Sequence, residues 1–121
     1  MSYIGKAYQA PPNSGRVVLG RTIPSLLDEA CEQTPNVQAF NDWVGTNWQS
    51  LSQQRFRTTA TTWALGWLRL GLESGDRVAL LMYSDVSFCL ADMSCLWAGL
   101  VDVPIDLTQT LEQIIFVLQH S

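Results

Sequence analysis

Gly71-Leu72-Glu73-Ser74-Gly75-Asp76-Arg77-Val78-Ala79-Leu80-Leu81-Met82 joins the end of a long amphipathic pattern to a continuous apolar run, through a turn bounded by two glycines. Gly71 stands where a helix closes on a left-handed residue, and Leu72 can fold back on Trp67 in the manner of a Schellman motif. Val78 to Met82 is apolar on both faces, the pattern of a strand covered from above and below in a parallel sheet. Helix, tight turn and buried strand in succession place the chain in the α/β class.

Upstream of the turn, Phe56, Ala60, Trp63, Ala64, Trp67 and Leu68 make one continuous apolar stripe at helical spacing. Thr58, Thr59, Thr61 and Thr62 lower helix propensity through restricted χ1, so packing of the stripe has to carry the helix. Its start is expected at a capping box from Ser50 to Gln53. Before it, Val37 to Phe40 and Thr46 to Trp48 flank Asn41-Asp42-Trp43-Val44-Gly45, a small hairpin with its turn at or near the glycine. A first helix runs from the N-cap Thr22, with Pro24 in its first turn, to about Gln33. Residues 1–21 hold the breaker cluster Pro11-Pro12-Asn13-Ser14-Gly15 and the β-prone run Arg16 to Leu19, and are expected to form an arm.

Downstream, Tyr83-Ser84-Asp85 caps a second helix over Val86 to Ala98. It is apolar nearly all round, interrupted only by Ser87, Asp92 and Ser94, and should be sandwiched between layers. Gly99 closes it, and Leu100 to Ile105 forms another strand with Pro104 near its end. Strand, helix and strand make one βαβ crossover. A last helix starts at Thr110 with a capping box to Gln113 and carries Leu111, Ile114, Ile115, Phe116, Val117 and Leu118. Too little sheet precedes it to cover that helix, so residues 22–121 are expected to be an N-terminal subdomain, the front of something longer.

The 121 residues are 47% hydrophobic, enough for a core, and only 15% charged, so part of the surface is suited to burial against something else. A net charge of −4 with one lysine, Lys6, argues against a nucleic-acid footprint. Cys31, Cys89 and Cys95 lack CxxC spacing and are expected to be buried reduced thiols in a cytoplasmic protein. Met1 to Ala10 has no apolar h-region, and no apolar run approaches the roughly 18 residues of a spanning helix.

Chemistry is hard to find in the chain. A phosphate site in a βαβ unit needs glycines after the first strand, and Tyr83-Ser84-Asp85-Val86 has none; Asp85 would repel a phosphate there. His120, one residue from the terminus, is expected at the surface. Asp102 and Asp106 suggest a carboxylate pair, but a polar strand end explains them better. Ser84, Ser87 and Ser94 have no basic partner nearby and are assigned to capping and packing. Trp63 and Trp67 suggest a stacking platform for a ligand, yet their helical spacing assigns them to the core. No catalytic, cofactor-binding or metal-ligating residue is therefore nominated.

Four pieces of the chain, in order, resemble the N-terminal portion of the adenylate-forming (AMP-binding) superfamily. Leu70 to Ala79 is similar to LGxxxGDRVA. Ala91 to Ile105 resembles the run A-x-L-A-x-L-x-A-G-A-x-x-V-P, and Glu112-Gln113-Ile114 with Leu118 and Ser121 resembles E-x-I-x-x-x-L-x-x-S. Upstream, Thr22 to Pro35 and Trp48 to Leu51 resemble the entry helix and the T-Y-x-E-L segment. Trp48, Ser50 and Leu107 to Thr110 depart from the pattern. Ala91-Asp92 and Glu112 to Ile114 lean toward fatty-acyl-CoA synthetases of fatty acid metabolism, whereas Pro104-Ile105-Asp106 also suits amino-acid adenylation domains.

The resemblance implies an ATP-dependent ligase that makes an acyl-adenylate and passes the acyl group to a thiol, with ATP, Mg and coenzyme A as the parent family's cofactors. The family's phosphate loop, adenine-binding motifs and mobile lysine match nothing in these residues, so the chain alone is expected to bind none of the three and to be inactive. Gly71 and Gly75 are implied to shape turns, Asp76 and Arg77 to tie the turn to the sheet, and Ala98-Gly99 to let helix meet strand closely. Two alternatives stand beside the ligase fragment: a stand-alone homo-oligomerisation or protein-interaction remnant of the same fold, and a small flavodoxin-like enzyme, which the missing phosphate loop disfavours.

Overall fold

The computed structural model describes Pro12 and residues 20–121. The expected N-terminal arm, apart from Pro12, Gly20 and Arg21, lies outside the described residues. Among the described residues the order is α1 (Ile23–Gln33), β1 (Phe40–Val44), β2 (Asn47–Leu51), α2 (Gln53–Arg69), β3 (Arg77–Leu80), α3 (Val86–Ala98), β4 (Val101–Pro104) and α4 (Leu111–His120). β1 and β2 form an antiparallel hairpin, and β3 and β4 a separate parallel pair in which Arg77 stands opposite Val101 and Leu80 opposite Pro104. The α/β class and the hairpin-plus-βαβ plan are both present.

Short-range signals set the helix ends. Thr22 and Ser25 form a reciprocal capping box on α1, and Thr110 and Gln113 do the same on α4. Asp85 caps α3 by accepting from the Phe88 N–H, and Gly99 ends it in the left-handed conformation, φ 73°. At the end of α2, Gly71 has φ 90°, its N–H reaches the Leu68 carbonyl at 3.0 Å, and the Leu72 N–H reaches that of Trp67 at 3.3 Å. Those two bonds are a Schellman closure.

Two boundaries differ from expectation. Ser50 does not cap α2: it lies in β2 opposite Asn41, and its hydroxyl donates to Asn41 Oδ1 at 2.6 Å. Ser52 is the N-cap, accepting from the Arg55 N–H at 3.1 Å. The strand has to run on to Leu51, which pairs with Phe40 on the face turned to the core, so the helix starts later. The hairpin likewise begins at Phe40 rather than Val37, because Asn36 Oδ1 accepts the Gln38 N–H at 2.9 Å and holds that segment in a turn.

The core lies between α2 and α3, closed by α1 and the hairpin. Phe56, Ala60 and Leu90 form its centre, with Leu27, Phe40, Leu51, Val86, Cys89, Met93 and Trp97 packed around them. Phe40 and Phe56 stack with ring centroids 3.9 Å apart. Asp42 ties the hairpin to α3 by accepting the Val86 N–H at 3.1 Å. At the opposite end of the parallel strands, the Gly75 N–H donates to the Gly99 carbonyl at 2.8 Å and the Val101 N–H to that of Asp76 at 2.8 Å. The opening turn is thus joined to the α3–β4 turn.

Layering is less complete than the sequence suggests. β3 buries only Leu80 fully, with Arg77 and Ala79 exposed, so it is not covered on both faces. α3 does lie between layers, with α2 and the hairpin on one side and the parallel strands on the other: it buries Leu90, Ala91, Ser94 and Cys95 and exposes only Ser87. α4 buries none of its residues, and Phe116 remains 60% exposed.

Candidate functional site

Three concavities adjoin the parallel pair: one of about 270 Å³ between Asp76, Arg77, Ala79, Val103 and the end of α4, and two others. The larger of those two, about 790 Å³, runs between α2 and the edge of β3 and is lined by Trp63, Gly66, Trp67 and Leu70 on one side and Val78 to Met82 on the other. Its lining carries no charged side chain, and Thr62 is its one polar side chain outside the indoles. The smaller, about 520 Å³, opens where both strands end, between Tyr83-Ser84 and Pro104 to Thr108. That is the position at which open α/β sheets place their ligands.

Trp63 and Trp67 are therefore not simply core. The buried stripe of α2 is Phe56, Ala60 and Ala64; Trp63 and Leu68 are exposed and Trp67 is half-buried. The spacing expectation fails at Trp63, which lies beyond the reach of α3, whereas Trp67 is partly covered by it. Trp67 is fixed: its indole N–H donates to Ser94 Oγ at 2.8 Å, while the Ser94 hydroxyl donates to the Ala91 carbonyl at 2.7 Å. Ser94 is thus a buried packing serine, as expected, and Ser84 and Ser87 are exposed.

The two aspartates considered as a pair are apart in role. Asp106 accepts from the Thr108 N–H and hydroxyl, each at 2.7 Å, and these bonds lower its pKa. Asp102, half-buried on β4, lies instead beside Asp92 of α3, a partner the sequence did not point to. Burial raises the pKa of Asp92, helped by the charge of Asp102 and a hydrogen bond between the two carboxyls. The same two acids add to burial in pushing the Cys95 thiol up to about 11. Burial is likewise the main cause of the raised values of Cys31 and Cys89. All three cysteines are unpaired thiols, and Cys31 and Cys95 are buried. Such thiols are poor nucleophiles.

The N-terminus of α3 is not free to take a phosphate. At the N-terminus of α3, Asp42 takes the Val86 N–H and Asp85 takes that of Phe88, so the amides that would meet a phosphate face carboxylates instead. Among the described residues no cluster of three histidine, cysteine or acidic groups is placed to hold a metal. His120 stands exposed at the end of α4, its Nδ1 2.8 Å from the Phe116 carbonyl and its ring stacked on Phe116. No helix among the described residues is long and apolar enough to cross a membrane.

A parallel pair with its crossover helix, a hairpin docked on that helix and a turn built on Gly75-Asp76-Arg77 define the N-terminal subdomain of an adenylate-forming ligase. Residues 27–121 match the family model of the AMP-binding enzymes, and the chain belongs to that family. Over 99 residues, 82% of the chain, it is 40% identical to the long-chain-fatty-acid–CoA ligase FadD15 of Mycobacterium bovis. It spans only 16% of that relative's length. In structure it is similar to a fatty acyl-adenylate ligase from L. pneumophila, solved with acyl adenylate and pyrophosphate: TM-score 0.65, 22% identity, 70% of this chain and 15% of that one. The N-terminal subdomain of Klebsiella oxytoca NpsA superposes with TM-score 0.69 at 16% identity, over 82% of this chain and 25% of that one.

Proposed function

We propose that the chain is the N-terminal portion of an ATP-dependent acid–thiol ligase acting on long-chain fatty acids, and that it supplies frame rather than catalysis. The identity to a long-chain-fatty-acid–CoA ligase over most of the chain carries this reading. In the whole protein the acid would be activated by ATP as its acyl-adenylate with release of pyrophosphate, and the thiol of coenzyme A would then take the acyl group as a thioester with release of AMP. Support for the framing role comes from the α3 N-terminus, already occupied by Asp42 and Asp85. Three unpaired cysteines suit a cytoplasmic setting.

The 121-residue chain alone is expected to give no fatty-acid-dependent ATP–pyrophosphate exchange. Exchange above background would show that catalytic groups are present and overturn the framing role. A second reading, self-association, is favoured by one observation: the apolar side of α4, with Leu111, Ile115 and Phe116, is uncovered.

A further inference from the structure

We draw no further inference here: the strongest candidate, the apolar groove between α2 and the free edge of β3 walled by Trp63 and Trp67, carries nothing because no observation in the structure shows whether a second copy or the remainder of a ligase covers it.

Discussion

At the scale of single residues, the most informative side chains are polar ones in apolar places. Ser94 is fully buried because it accepts the Trp67 indole N–H and returns its own proton to Ala91. Ser94→Ala should cost about 1–3 kcal/mol, since it leaves a half-buried indole donor without its partner. A urea midpoint unchanged from wild type would contradict that role. Asp92 has the opposite sign. Its raised pKa means that the folded chain holds this proton more tightly than the unfolded chain does. Between the ordinary value of 3.8 and the raised one, stability therefore falls as pH rises. Above that window a half-buried charge faces Asp102 as a standing penalty. Asp92→Asn should melt at a higher temperature than wild type at neutral pH and lose that advantage below 3.8, where Asp92 is itself neutral; thermal melts at both pH values check it. The Asp92–Asp102 pairing was not legible in the sequence because the acids sit on different elements, and only the turn of α3 over β4 brings them together. Trp63 was misplaced for a related reason: helical spacing says which residues share a face, not whether anything covers that face.

At the scale of elements, what was legible was local. Thr22, Asp85 and Thr110 act within a few residues of the helix starts they cap, and Gly71 and Gly99 are read from a steric rule about positive φ. Ser50 and Ser52 sat too close together for that rule to choose between them; the pairing of Leu51 with Phe40 decided the matter from outside the helix. The two closing glycines make a sharper test. Gly71 has φ 90° and open space where a Cβ would project, so Gly71→Ala should cost only backbone strain, about 1–2 kcal/mol. Gly99 has φ 73° and its Cβ would sit 3.1 Å from Ser74 Oγ, which now donates to the Gly99 carbonyl. Gly99→Ala should therefore cost more than Gly71→Ala in equilibrium unfolding. Equal costs would mean that the Ser74 side chain yields to the added methyl without penalty.

At the scale of the whole molecule, the uncovered surfaces agree with one another. The indole-walled groove beside β3, the exposed strand residues Arg77 and Ala79, and α4 with no buried residue all present apolar or unpaired surface on a chain that spans a small share of its relatives' length. Uncovered apolar surface such as that of the groove and of α4 is suited to association. The isolated chain is expected to be a dimer or larger in light scattering at micromolar concentration. A monomer across that range would show that these surfaces are tolerated in water, and would remove the support for self-association. The superfamily was legible because its signature residues, Leu70 to Ala79 and Ala91 to Ile105, are those that build turns and close packing in the described subdomain. No catalytic site was read from the sequence, because Tyr83 to Val86 lacks the glycines that a phosphate loop needs after the first strand.

The bonds from Gly75 to Gly99 and from Asp76 to Val101 have a bearing on how the chain acquires its shape. Each closes a loop of modest length, and closure entropy grows only slowly with the residues enclosed. The first strand, its crossover helix and the second strand thus hold one another through contacts near in sequence, an arrangement that favours fast assembly. On the ribosome, this unit can close once Ile105 has emerged, before α4 has been completed.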